Sequence, residues 1–310
     1  MIRDLRRSDG PRLFELTKLG FPEEEAVLGT TPEGFARVVR RAFRWDTRFL
    51  IGLARVLGRP LFRYLVVEEN GEVVATTLVS FAERTGHVNS VMVDPAYRRR
   101  GLARALLERA RELTRAAGRK YITLDVLSEN VPARTLYDRI GYRPIWQSGL
   151  WVHAAGAPPT APSSSAVRPF RSSDAAALAR IAEATRPPEV LEVLPIRAGA
   201  IRGSRFVDRM LASTTAAWVV DRGSGPEAHV AATVGAATTA AHFSDPIVGP
   251  SAAEPDVAAL LATAVGWTAA RGAPRIACRV PVTNVRGRAA LLGGGFREAL
   301  TDWTLSRTVD

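Results

Sequence analysis

Apolar positions along the first half of the chain follow two periods, and together they predict an ordered series of strands and helices. A short strand at "IRDL" (2–5) precedes a long stretch of helical periodicity from Ser8 to Arg59. Two strand-like runs, "RYLVVEE" (63–69) and "EVVATTLVSF" (72–81), flank Asn70-Gly71, a pair that favours positive φ and predicts a two-residue hairpin. "HVNSVMV" (87–93) is the next strand. A helix from Gly101 brings Leu102, Leu106, Ala110, Leu113 and Ala117 onto one face, and Gly118 stops it. "YITLDVL" (121–127) predicts a strand, "VPARTLYDRI" (131–140) a short helix and "RPIWQSGLWVH" (143–153) the closing strand. The order predicts an α/β fold with one central mixed sheet flanked by helices.

The pattern then repeats. "MIRDLRRSD" at 1–9 matches "AVRPFRSSD" at 166–174, with Arg3, Arg6, Ser8 and Asp9 recurring as Arg168, Arg171, Ser173 and Asp174. "NVPARTLYDRIGYR" (130–143) lies over "NVRGRAALLGGGFR" (284–297) without a gap, and each is followed by a strand-like segment holding Trp151 or Trp303. Matches at both ends of each half predict two tandem copies of one domain, residues 1–153 and 166–310. Between them "AAGAPPTAPSSS" (154–165) has the composition of a linker.

Composition narrows the class. With 310 residues, 46% hydrophobic and 24% charged, the chain has the make-up of a globular protein with one or two cores. No run approaches the roughly 18 apolar residues of a membrane span. The N-terminal "MIRDLRRSDG" lacks the apolar core of a signal peptide, which is expected of a cytoplasmic protein. The single cysteine, Cys278, lies in the apolar run "RIACRVPV" and is expected to be a buried strand thiol. Of the net charge of +11, the first half carries most, so anion binding is expected there. The basic residues are almost all arginine, with Lys18 and Lys120 the two lysines, which fits bacterial codon bias better than nucleic-acid binding.

The concentrated chemistry is "VDPAYRRRGLARALLERAREL" (93–113). Strand, turn and helix follow one another, and the turn reads Arg98-x-x-Gly101-x-Ala103. A helix N-terminus exposes unpaired N–H groups, Gly101 and Ala103 leave the backbone bare, and the arginines add positive charge. Such a turn suits a multiply anionic group. Further on comes Asn130-x-x-Ala133-Arg134-x-x-Tyr137, ending in Gly141-Tyr142.

With these two motifs in this order, residues 1–152 resemble the GCN5-related N-acetyltransferase (GNAT) superfamily. The resemblance implies acetyl-CoA bound in a cleft between the fourth and fifth strands, which splay apart. It implies main-chain contacts from Val91, Met92 and Val93 to the pantetheine arm, and a pyrophosphate wrapped by the amides of Arg98, Arg99, Arg100, Gly101, Leu102, Ala103 and Arg104. It further implies a pantetheine contact from Asn130 and a Tyr137 hydroxyl facing the thioester sulfur. A phenol there serves as general acid for the leaving thiolate. The N–H of Met92, at a bulge in the strand, is expected to polarise the carbonyl. His87 stands on the same strand face as Asn89, where histone-acetylating relatives carry a glutamate base, and it titrates near neutrality. Glu83 is the rival base.

The second copy reads "VGPSAAEPDVAALL" (248–261) in place of the arginine turn, and Leu291 in place of Tyr137. Glu254 and Asp256 at the helix start favour the dipole and repel a pyrophosphate. It is expected to be a degenerate, silent copy whose Asn284 keeps a helix cap. In the first copy, residues 35–63 carry eight arginines among apolar positions and are expected to wall the acceptor site. The expected activity is acetyl-CoA-dependent N-acetylation of a small-molecule amine, with no metal and no nucleic acid, and with the oligomeric state open. The alternatives are a mycothiol-synthase-like acetyltransferase, whose working copy is usually the second, and a non-catalytic coenzyme A-binding sensor, for which Tyr137 would have no use.

Overall fold

A computed structural model describes residues 1–57, 60–154, 163–201, 208, 212–235 and 238–310. The chain forms two compact units. The first comprises Met1–Ala26, Pro32–Trp146 and Asp302–Asp310; the second comprises Val27–Thr31 and Gln147–Thr301. These bounds differ from the division at 153/166 expected from the repeat, and residues 155–162 of the expected linker lie outside the described residues.

In the first unit, β1 (Ile2–Asp4), β2 (Phe62–Glu69), β3 (Glu72–Phe81) and β4 (Thr85–Val93) form an antiparallel run. Asn70 and Gly71 take positive φ at the β2–β3 turn, as their residue types require. β5 (Tyr121–Leu127) joins β4 in parallel over four residues only, Thr85–Val88 against Tyr121–Leu124. The edge strand beyond β5 is the difference from expectation: residues 302–308 of β13 (Arg297–Thr308) run antiparallel along the whole of β5. The first half's own closing strand, β6 (Arg143–Ala154), instead ladders through residues 148–154 with β12 (Arg275–Pro281) of the second unit. Each half of the sequence thus completes its sheet with the last strand of the other half.

Helix α5 (Leu102–Ala116) lays Leu106, Leu107 and Ala110 on the sheet, and Gly118 at φ 70° ends the segment. Leu107 and Ala110 share a cluster with Val79, Val88, Ile122, Leu124 and Leu305. On the other face, α1 (Gly10–Gly20) packs Leu13 and Leu16 against Val66, Val73 and Met92. The long helical stretch expected to Arg59 is broken into α1, α2 (Pro22–Leu28), α3 (Pro32–Ala42) and α4 (Trp45–Val56). Pro22 and Pro32 each open a new helix, because proline lacks the N–H that would extend the one before. α4 leaves Trp45, Phe49, Leu53 and Val56 exposed.

The second unit repeats the plan. β7 (Val167–Pro169), β8 (Thr214–Asp221), β9 (Pro226–Val234) and β10 (Ala240–Phe243) run antiparallel in sequence, and β10 joins β12 in parallel over four residues. β11 (Ile247–Val248) pairs with β9 alone among the described strands. The recurrent Arg and Asp of the repeat have one job in both units. Arg3 binds Asp9 at 2.7 Å and Arg168 binds Asp174 at 2.8 Å, while the N–H groups of Arg6 and Arg171 cap the same carboxylates at 2.7 Å. Cys278 is buried, which pushes its thiol up. Among the described residues no helix is long and apolar enough to cross a membrane.

Candidate functional site

Because β4 and β5 part after Val88 and Leu124, the far end of β4 has a main-chain edge with no β5 partner among the described residues. Strand parity decides which groups face that gap. The N–H of Asp94 bonds Val74 on β3, so the N–H of Met92, two residues earlier, also points to β3. The groups of Val91 and Val93 point into the gap. Met92 therefore does not offer its N–H there, which corrects the sequence expectation. Nor does it sit at a bulge: the extra residue of β4 is Asn89, between Val88 and Ser90, and the Met92 side chain is buried under α1.

At the mouth of the gap the arginine turn and α6 (Val131–Arg139) line a cleft of about 520 Å³. Gly101 at φ 79° caps α5 and Arg99 sits at φ 66°. Left-handed residues alternating with ordinary ones turn successive N–H groups toward a common point, an anion-binding arrangement. Arg98, Arg99, Arg104 and Arg139 line the cleft, and among the described residues no acidic one does. Arg139 was not foreseen, since its arrival depends on how α6 packs. Asp94 steadies the turn by accepting from Ala96 N–H at 2.8 Å and pairing with Arg12; the Ala96 bond chiefly holds its carboxyl low. Arg98 at present bonds the Val93 carbonyl at 3.3 Å. Arg100 is turned away from the cleft: it stacks on Tyr97 at 4.8 Å and lies 3.6 Å from Glu69.

Asn130 caps α6 through Ala133 N–H at 3.2 Å. Tyr137, one cluster member along with Val88 and Leu124, is buried at the root of the gap, with Val91 packed against that cluster. Burial pushes its phenol up to about 12. Gly141 at φ 89° ends α6 and returns Tyr142 N–H to the Tyr137 carbonyl at 2.9 Å.

Ile122, Leu124 and Val126 face α5, so Thr123 and Asp125 face the opposite side of the sheet. His87 joins them there. Its Nδ1 lies 3.0 Å from Thr123 Oγ1, and its Nε2 lies 3.7 Å from Asp125 Oδ2. Asp125 escaped the sequence reading. The signal was available, a lone acid inside the apolar run "YITLDVL", but only strand pairing shows what it faces. Glu83 is exposed, in the turn ahead of β4.

In the second unit the registers superpose on the first. Val219↔His229↔Ile247 matches Val66↔Thr76↔Met92, so Pro246 stands where Val91 stands, and Pro246 has no N–H to offer. Asn284 caps its helix as expected, through Gly287 N–H at 2.9 Å. Its Nδ2 also donates to Asp245 Oδ1 at 2.7 Å and to Pro246 O at 2.8 Å, fastening the gap shut. The corresponding cleft is lined by Glu254 and Arg286 with alanines.

Three comparisons bear on this arrangement. The acetyltransferase (GNAT) family profile matches residues 25–142. A mycothiol acetyltransferase from Beutenbergia cavernae is 43% identical over 61 residues, about a fifth of this chain and a fifth of that protein. Among solved structures, a tandem GNAT protein from the clavulanic acid biosynthesis pathway is similar over 100% of this chain and 98% of its own (TM-score 0.66, 16% identity). A GCN5-related N-acetyltransferase from Sphaerobacter thermophilus is similar over 100% and 95% (TM-score 0.68, 17% identity). The acetyltransferase (GNAT) family domain thus covers residues 25–142, and the chain over its whole length shares the fold of tandem GNAT proteins.

Proposed function

We propose that the first unit transfers an acetyl group from acetyl-CoA to the amine of a small molecule. The observation that carries this reading is the continuity of the open β4 edge with a cleft holding four arginines and, among the described residues, no acid. The cofactor's shape and charge fit that path: an extended amide-bearing arm along β4, then a diphosphate in the turn. Acetyl-CoA supplies the acetyl group as an activated thioester.

The chain's residues divide the remaining work. Arg98, Arg99, Arg104 and the amides from Arg98 to Arg104 bind the diphosphate, with Arg139 adding charge. Val91 and Val93 bind the arm through the main chain, and the Asn130 amide nitrogen, which its cap does not use, binds it from α6. The N–H of Val91 takes the carbonyl-polarising role first expected of Met92. His87 takes the proton from the amine, and Tyr137 gives one at sulfur. Burial, which raises the phenol, keeps Tyr137 in its protonated, donating form near neutral pH.

The test is release of free thiol from acetyl-CoA against a panel of amines, amino acids, aminoglycosides and peptides. Acceptor-dependent release, lost in Gly101→Glu, supports the reading; acetyl-CoA binding with no turnover on any amine favours a sensor. The mycothiol acetyltransferase match favours a second reading, so mycothiol-related amines belong in the panel.

A further inference from the structure

We propose that Asp125, held by Thr304 of the chain's last strand, is a positioning residue that orients His87 and stabilises its protonated form. The inference rests on the acetyltransferase reading and adds to it a role for the far end of the chain.

Trp146 Nε1, which can only donate, donates to Thr304 Oγ1 at 2.7 Å. The single hydroxyl proton of Thr304 then goes to Asp125 Oδ1, at 2.6 Å. This fixes the carboxylate with Oδ2 toward His87 Nε2, at 3.7 Å. That is too long for a hydrogen bond to a neutral ring but within reach of ion-pair attraction once the ring is protonated. Nδ1 lies against Thr123 Oγ1, Nε2 is on the Asp125 side, and the side chain is 30% exposed. Across the β3–β4 ladder His87 pairs with Ser80, whose hydroxyl bonds Asn89.

The chemistry balances. The neutral amine forms the new C–N bond with its lone pair, and the nitrogen gives one proton to His87 Nε2, keeping that N–H pair as the lone pair of the amide. As the C–S bond breaks, its pair leaves with the sulfur, which takes the Tyr137 proton; His87 releases its proton to water and Tyr137 takes one from water. Asp125 lowers the cost of the imidazolium and attracts an approaching ammonium ion.

The second unit is an internal control. By strand register His242 stands at the place of His87, Arg279 at Asp125 and Leu150 at Thr304. Burial, with Arg279 adding to it, pushes His242 down. The acid and its hydroxyl partner occur where the gap is open and are absent where Asn284 closes it.

Four histidines make the test direct. His87 is titrated by NMR in the histidine-labelled full chain, assigned with His87→Gln, in wild type, Asp125→Asn, Thr304→Val and Thr304→Ser. The His87 midpoint should move to lower pH in Asp125→Asn and in Thr304→Val, and return in Thr304→Ser. Acetylation of the fastest amine in the panel should fall about tenfold in Thr304→Val, the loss of one hydrogen bond to a charged group. Melting temperature and acetyl-CoA binding should stay near wild type. If His87→Gln is inactive but Thr304→Val titrates and turns over as wild type, the positioning role is overturned and the base stands. If His87→Gln keeps its turnover, the base itself is wrong, and Asp125 positions nothing.

Discussion

Asn284 donates its side-chain amide to the carbonyl of Pro246 at 2.8 Å, across the gap between diverging strands of the second unit. The matching Asn130 of the first unit stays exposed at its helix cap. One unit is therefore open to an extended ligand and the other is closed by its own side chain. Calorimetry with acetyl-CoA is expected to give one site per chain. Gly101→Glu should abolish it, because the new side chain is strained at φ 79° and carries negative charge into the arginine cleft. Two sites per chain, or unimpaired binding by the variant, would contradict this.

Tyr137→Phe keeps the buried ring and removes the proton donor. Turnover is expected to drop about 10²–10⁴-fold, with acetyl-CoA affinity little changed. Burial raises the phenol to about 12, so its donating form is not lost as pH rises through the ordinary tyrosine value of about 10. The wild-type rate should then show no alkaline limb from this group up to about pH 10. A limb there that disappears in Tyr137→Phe would show the phenol titrating lower than its burial requires.

Features set by near neighbours were legible in the sequence. Asn70-Gly71, Gly101, Gly118 and the Asn284 cap each depend on a few adjacent residues, and all appear where expected. Features set by pairing were not. Whether Met92 or Val91 faces the gap is a question of parity, and a one-residue change in register reverses it. The bulge at Asn89 shifts that parity within β4. The exchange of β6 and β13 was hidden for a related reason: both closing segments are amphipathic and follow the same helix motif, so either could complete either sheet. Asp125 and Thr304 lie 179 residues apart and meet only through that exchange.

The Arg168–Asp174 pair sets a stability dependence on acid. Arg168, first, and the Arg171 N–H hold the Asp174 carboxyl below its ordinary value. A depressed carboxylate stabilises the fold above its unfolded value of about 4, and the contribution is lost as pH falls through the folded value. Asp174→Asn is expected to cost about 1–3 kcal/mol at pH 7, seen as a melting temperature lower by several degrees. The gap to wild type should narrow in melts run at successively lower pH below 4. A gap that stays constant would mean that the charge contributes nothing.

Removing residues 302–310 tests why the second half is retained. The deleted segment belongs to the first unit although it ends the second half of the sequence. Without it β5 loses its antiparallel partner along seven residues, leaving a row of unpaired main-chain groups on that edge. The cluster around Tyr137 loses Leu305 and Val309, each worth about 1.5–3 kcal/mol when fully buried. Arg307 no longer pairs with Glu108 at 2.9 Å, and Arg111 loses the Val309 carbonyl at 3.0 Å. The sum is large against the roughly 5–15 kcal/mol that holds a domain folded. The truncated chain of residues 1–301 is expected to melt well below the full chain and to bind acetyl-CoA poorly, although every cleft residue is present. Residues 1–153 alone should fail in the same way, for the same missing strand. A fragment 1–153 that melts with the full chain's first unit and acetylates at the full rate would show that β13 is dispensable, and Asp125 would then have to be held by something other than Thr304.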